Sequence, residues 1–281
     1  RACGSEAAEA RSADLIVVNT CTVTAEADKK ARKAVRQALR ANPRAHVLAT
    51  GCAAALQPGA FEALGSRVEV VPKAQAADAV RRVAREAGAQ GRPEAGSPFP
   101  LPDGRTRVGI KVQDGCDHAC TYCIVHVARG PATSTPADAV VAEAVELASR
   151  GVREVVLTGI NLGSYRSVAT DLAALLRLLL DATEPLHGPG QPPCRFRLSS
   201  VEPNDVTDGL IDVLASAEGR VCRHLHLPLQ SGSSRVLREM GRPYDAAGFL
   251  ALAGRLRARI PGIALATDVI AGFPGEAEAD F

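Results

Sequence analysis

Three cysteines, Cys116, Cys120 and Cys123, stand in a CxxxCxxC arrangement in one loop, Gly115-Cys116-Asp117-His118-Ala119-Cys120-Thr121-Tyr122-Cys123, directly after the apolar run at 108–112. Thiolates are soft donors that suit both zinc and iron-sulfur clusters. Structural zinc wants four protein ligands, usually as two separated pairs, whereas three thiolates on a cubane leave one iron open to a further ligand. The count therefore points to a cluster with a reactive iron rather than to closed zinc or inert thiols.

Such a loop needs a rigid edge beneath it, and the alternation of apolar runs with helical patterns supplies one. An apolar strand at 15–18 leads to Asn19-Thr20-Cys21 and a helix over 25–39. A second, at 47–49, leads to Thr50-Gly51-Cys52, and a third, at 68–71, precedes a helix over 76–87. This order predicts a small Rossmann-like domain with a parallel sheet over 1–87. Cys21 and Cys52 each fall just past the carboxyl end of a strand, the rim where open parallel sheets collect ligands. They can converge although 30 positions lie between them, or remain two buried thiols of a small core. On the first helix Lys29, Lys33, Arg36 and Arg40 recur at i, i+4, i+7 and i+11, so four cations share a face, either solvated or set against phosphates.

Residues 88–104 are rich in Gly and Pro and read as a linker. Beyond it, over 105–281, strands are expected at 108–112, 154–158, 196–199, 224–227 and 263–270. The helices between them are expected at 137–149, 172–181, 206–215, 234–240 and 246–259. Five strand-helix units predict a partial, open (β/α)6 barrel whose last unit would begin after Phe281. In a parallel barrel the polar motifs after the strands face one mouth. They are Thr158-Gly159-Ile160-Asn161-Leu162-Gly163, Ser199-Ser200-Val201-Glu202-Pro203, Pro228-Leu229-Gln230-Ser231-Gly232-Ser233 and Ala271-Gly272-Phe273-Pro274-Gly275-Glu276. Period-2 alternation sets His224 and His226 opposite Leu225 and Leu227, and Arg197 and Ser199 opposite Phe196 and Leu198. A buried Arg197 requires an anion, which Glu202 or a bound carboxylate would provide; the reading favours a role at a cofactor.

Composition bounds the rest. With 281 residues, 46% hydrophobic residues and a formal net charge of +2, the chain is an ordinary globular sequence long enough for two cores. Disordered, fibrous and membrane-spanning classes are excluded, because no apolar run approaches the roughly 18 residues of a span. The eight cysteines read as metal ligands and reduced thiols of a cytoplasmic protein, with no role assigned to Cys194 and Cys222. Both ends look cut: the start lacks a methionine, and the end at Phe281 enters an acidic helix start.

The cysteine loop, with Tyr122 before its last cysteine, resembles the signature of the radical S-adenosylmethionine enzymes. The strings Val18-Asn19-Thr20-Cys21-Thr22-Val23-Thr24, Thr50-Gly51-Cys52, Ala128-Arg129-Gly130-Pro131 and Thr158-Gly159-Ile160-Asn161-Leu162-Gly163-Ser164-Tyr165 resemble the methylthiotransferase family. So do the stretches 115–124, 198–203, 226–233 and 268–276. The Gly-Ile-Asn-Leu-Gly loop and the Arg-Gly-Pro turn look most like the threonylcarbamoyladenosine-tRNA branch.

The resemblance implies two 4Fe–4S clusters and S-adenosylmethionine. The cluster on Cys116, Cys120 and Cys123 would cleave the cofactor to a 5′-deoxyadenosyl radical, which takes hydrogen from adenine C2. An auxiliary cluster on Cys21, Cys52 and a third, earlier cysteine would supply sulfur, and a second S-adenosylmethionine the methyl group. Cys3 is followed rather than preceded by glycine and stands too close to Cys21 to be that third ligand. Tyr122 is expected against the cofactor adenine and Gly159 to Asn161 at its amino acid end. Arg197, Ser199 and Glu202 are expected beside the cofactor, with Gln230, Ser231, Ile270 and Gly272 bordering ribose and base. The implied partners are tRNA, met by Lys29, Lys33, Arg36 and Arg40, and a flavodoxin or ferredoxin as electron donor, acting on a monomer. His126 replaces a proline usual in the family, 133–135 lack arginines common there, and the family's carboxyl-terminal RNA-binding barrel is absent, so tRNA affinity is expected to be low. Related substrates, isopentenyladenosine or a ribosomal-protein aspartate, remain alternatives. A non-catalytic iron-sulfur or zinc module would explain the cysteines but not the strand-end motifs.

Overall fold

The structure, a computed structural model, describes residues 8–22, 24–86, 106–186 and 192–281. The expected linker at 88–104 and Cys3 lie outside the described residues. The chain forms two compact units, one holding the described part of 8–86 with Cys123–Arg129, the other the rest of 106–281.

In the first unit β1 (Leu15–Thr20), β2 (His46–Gly51) and β3 (Val68–Val70) pair in parallel in that order. The helices are α1 (Ala25–Ala41), α2 (Cys52–Leu56), α3 (Pro58–Glu62) and α4 (Ala76–Glu86). The Thr24 hydroxyl starts α1 by accepting from Ala27 N–H at 3.1 Å. Ala31, Val35 and Ala38, at i, i+4 and i+7, are its buried stripe. Strand β2 is buried on both faces, so its alternation splits the core: Val47 and Ala49 pack with Val35 and Phe61, while Leu48 packs with Val71 and Ala79.

The remaining elements follow in chain order: β4 (Arg107–Lys111), β5 (Gln113–Asp114), α5 (Val125–Arg129), β6 (Thr133–Ser134), α6 (Ala137–Ser149), β7 (Glu154–Thr158), β8 (Arg166–Ser167), β9 (Thr170–Asp171) and α7 (Leu172–Thr183). Then come β10 (Arg195–Leu198), α8 (Asp208–Ser216), β11 (His224–His226), α9 (Ser234–Glu239), α10 (Ala246–Arg259) and β12 (Ala264–Ala266). Parallel pairing joins β4 to β7, β7 to β10 and β11 to β12, and the bridges Phe196 to Val221 and Ser200 to His226 connect β10 with β11. The result is a sequential run of five parallel strands with helical returns, a partial and open barrel. Leu172, Leu175, Leu176 and Leu179 of α7 recur at helical spacing and are buried.

Two expectations are corrected. The last strand is three residues long rather than spanning 263–270, because its pairing with β11 gives way to side-chain bonding: Leu229 N–H donates to Thr267 Oγ1 at 2.9 Å. Residues 123–129 pack with the first unit rather than the second, since α5 lies against α2.

Candidate active site

The cysteine loop has several anchors in the second unit. After β4 the chain turns at Gly115, with φ +72°. A Cβ there would stand 2.0 Å from the Pro131 carbonyl oxygen, so only glycine lets the returning segment cross. Cys116 N–H donates to Gly130 O at 3.1 Å and Ala132 N–H to Asp117 Oδ1 at 3.0 Å, fastening the crossing. Gln113, 1% exposed, donates through Nε2 to Asp114 O at 2.9 Å and Gly115 O at 2.8 Å, and accepts Asn161 N–H at 2.8 Å. One side chain thus ties the start of the cysteine loop to the loop after β7. At the far end Thr121 donates through N–H to Met240 O at 3.1 Å and through Oγ1 to Glu239 O at 3.0 Å.

Cys120 is buried, Cys116 and Cys123 are half-buried, and no described cysteine forms a disulfide. His118 N–H lies 3.4 Å from Cys116 Sγ, and Arg242 Nη1 lies 3.0 Å from Cys120 Sγ. Among the described residues no three Cys, His, Asp or Glu side chains are already gathered as a metal-ligand set. The donor chemistry nevertheless fits a cubane: soft thiols on one loop, with donors directed at two of the sulfurs.

Arg242 is 7% exposed and forms an ion pair with Glu202. Its Nε donates to Tyr244 Oη at 3.2 Å, and its guanidinium carbon lies 5.1 Å from the centre of the Tyr244 ring. Burial alone would lower the Arg242 pKa, but the Tyr244 hydrogen bond and the charges of Tyr244, Tyr122 and Cys120 raise it, so the group stays a cation. Tyr122 meets Phe273 edge to face, with ring centres 6.5 Å apart.

Several expected cofactor residues gather at the carboxyl ends of the strands. Asn161 Oδ1 and Ser199 Oγ are buried without a hydrogen-bond partner. Such atoms call for one, and the polar groups of S-adenosylmethionine fit that need. Gly159 lies under Gln113, whose Oε1 would be 2.9 Å from an added Cβ. Gln230 holds φ +68°, a conformation that costs a non-glycine residue of order 1–3 kcal/mol. Its N–H donates to Asp268 O at 3.0 Å and its carbonyl accepts from Ile270 N–H at 2.8 Å, bringing Gln230 and Ile270 together. Ser231 is buried and accepts Ser233 N–H at 3.1 Å, whereas Gly272 is exposed and donates to Glu276 Oε2 at 2.5 Å.

Arg197 is placed differently from the expectation. Its anion is Glu154, 2.7 Å away at the start of β7, which also receives Arg107 and Arg195 at 2.7 Å each. Glu202 serves Arg242 instead. Burial alone would raise the Glu154 carboxyl, but hydrogen bonds from Arg197 and Arg195 reverse this and hold it below the usual glutamate range. This cluster sits at the amino-terminal ends of β7 and β10, where barrel residues serve stability.

In the first unit Thr20 and Gly51 are paired in register, so Cys21 and Cys52 leave neighbouring strand ends. Thr20 Oγ1 donates to Thr50 O at 2.7 Å and accepts Ala54 N–H at 3.0 Å, fixing the turn that carries Cys52. Lys29, Lys33, Arg36 and Arg40 are all exposed on α1.

Sequence reasoning missed Gln113, Arg242, Tyr244, Phe273 and Asp205. Asp205 packs on Gly163, whose added Cβ would be 2.3 Å from the Asp205 Cβ, and burial pushes its carboxyl up. The polar Gln113 closing an apolar run was the one signal in the chain. Arg242 and Tyr244 flank Pro243 and follow no spacing rule.

Residues 110–281 match the Radical SAM superfamily, and residues 2–72 match a family described as Uncharacterized protein family UPF0004. The chain belongs to the radical SAM superfamily. It is 37% identical to threonylcarbamoyladenosine tRNA methylthiotransferase MtaB of Chlamydia pneumoniae, over 96% of this chain and 61% of that protein. To MtaB of Bacillus subtilis it is 35% identical, with the same two coverages, 96% and 61%. A tRNA-2-methylthio-N(6)-dimethylallyladenosine synthase of Anaeromyxobacter is 38% identical over 99% of this chain and 60% of that protein. The chain thus spans about three-fifths of the length of these curated relatives. In fold it is similar to TsrM, a radical S-adenosylmethionine methyltransferase from Kitasatospora setae, with TM-score 0.68 and 19% identity over 96% of this chain and 59% of that one.

Proposed function

We propose that this chain is the two-domain catalytic part of a tRNA methylthiotransferase that places a methylthio group on C2 of N6-threonylcarbamoyladenosine, next to the anticodon. The observation that carries the reading is the three-cysteine loop at the barrel mouth in a chain similar to MtaB proteins over 96% of its length. Cys116, Cys120 and Cys123 would hold a 4Fe–4S cluster, and Cys21 and Cys52 two corners of an auxiliary one. With S-adenosylmethionine bound, the first cluster would supply one-electron reductive chemistry at the cofactor's sulfonium.

The chain's own residues orient and shield. Gln113 and Asn161 keep the cysteine loop and the loop after β7 in register. The unpartnered Asn161 Oδ1 and Ser199 Oγ offer acceptor and donor to the cofactor, and Tyr122, braced by Phe273, offers a ring face. Gln230, Ser231, Ile270 and Gly272 would border ribose and base. The cations of α1 would meet tRNA phosphates, and a flavodoxin or ferredoxin in the cytoplasm would deliver electrons to a monomer.

The 38% identity to a dimethylallyladenosine synthase favours a second reading in which the base carries an isoprenoid. Mass spectrometry of tRNA nucleosides from cells lacking the full-length gene separates the two. Loss of the 2-methylthio group from threonylcarbamoyladenosine alone is expected; loss from dimethylallyladenosine instead overturns the choice of substrate.

A further inference from the structure

We propose that Arg242 is a positioning residue for the Cys120 sulfur and sets the reduction potential of the cluster held there, an inference that rests on the cluster reading above. The loop is fastened to the end of α9 by both bonds from Thr121 to Glu239 and Met240. Gly241 sits over the Ala119 carbonyl, 3.6 Å from where its Cβ would stand, so the segment that follows delivers Arg242 directly to Cys120.

The guanidinium is held by one ion pair and by hydrogen bonds. Nη2 faces Glu202, Nε reaches Tyr244 Oη at 3.2 Å, and Nη1 is shared between Cys120 Sγ at 3.0 Å and Tyr122 Oη at 3.5 Å. Tyr244 is fixed in turn by donating to Pro228 O at 2.7 Å. A planar fork serves these directions at once; a lysine ammonium cannot. The Arg242 side chain is 2% exposed, so its charge acts on the sulfur with little screening by water. Hydrogen bonds to sulfur and nearby net charge are among the protein's levers on cluster potential. A donor and a cation beside one thiolate favour the more negative, reduced cluster. Glu202 opposes this by neutralising the cation, so the Arg242 and Glu202 pair sets the field from both signs.

The test is an electron paramagnetic resonance redox titration of the anaerobically reconstituted chain, with iron counted in each preparation. Arg242→Gln is expected to lower the midpoint potential by at least a tenfold change in the reduction equilibrium, 59 mV for a one-electron couple. Arg242→Lys is expected to fall between Arg242→Gln and the parent. Glu202→Gln removes the neutralising anion and is expected to shift the potential upward, a sign that packing damage does not produce. If Arg242→Gln loses its iron, the Glu202→Gln shift decides, and an unchanged or lower potential there overturns the proposal. A loaded Arg242→Gln at the parent potential overturns it as well. A parent chain that takes up no cluster overturns the cluster reading itself, and the inference with it.

Discussion

Glu154 receives three guanidinium groups at one buried carboxylate, each at 2.7 Å, and this arrangement has a pH signature. The folded-state pKa is depressed, so the stabilisation is present above the ordinary glutamate value of about 4.3 and is lost as pH falls through the lower folded value. Urea midpoints measured from pH 6 down to about 3 should therefore fall more steeply for the parent than for Glu154→Gln. Parallel curves would show that the carboxylate contributes nothing to the acid limb. At this scale sequence reading was uneven for a physical reason. Cys116, Cys120 and Cys123 are legible because their ligand spacing is local, whereas Arg242 lies 122 positions from Cys120 and meets it only through the fold. The half-buried Arg197 meets Glu154 rather than Glu202: the register of β7 against β10 sets Glu154 opposite Arg195, and Arg197, two residues further on the same face of the strand, reaches back to the same carboxylate.

Elements carry their own tests. Helix α7 is started by Asp171, whose carboxylate accepts Ala174 N–H at 2.8 Å. Asp171→Ala should cost about 1 kcal/mol, read as a lower urea midpoint at unchanged slope. Leu176, fully buried on the same helix, should cost about 2–5 kcal/mol as Leu176→Ala, with the spread set by how far the site collapses. Helix α1 turns a buried stripe of Ala31, Val35 and Ala38 inward and the cations Lys29, Lys33, Arg36 and Arg40 outward. If those cations meet phosphates, Lys33→Ala in the full-length protein should reduce the salt slope of tRNA binding by about 0.9, while an unchanged slope would leave this a solvated face. Helix periods and buried strands were legible from pattern: helix Ala137–Ser149 and strand Glu154–Thr158 appear as expected. The overlong reading of the last strand fails because an apolar run does not show that Thr267 takes the Leu229 N–H with its side chain.

For the whole molecule, the order of strands follows the chain, β4, β7, β10, β11 and β12, so each strand-end motif lands beside the next at one rim. That is why the mouth residues Gly159, Asn161, Ser199, Gln230 and Ile270 were legible together. The packing of α5 on α2 was not, since a helix of five residues is too short to carry a period that reveals its partner. The proposed function requires that three sulfurs present an incompletely coordinated iron to S-adenosylmethionine. It is tested most directly by the electron paramagnetic resonance spectrum of the anaerobically reconstituted, reduced chain with and without that ligand, beside a variant with Cys116, Cys120 and Cys123 all replaced by alanine. The spectrum is expected to change when the ligand is added and the signal to be absent from the variant; zinc in the loop, or a spectrum indifferent to the ligand, would overturn this coordination.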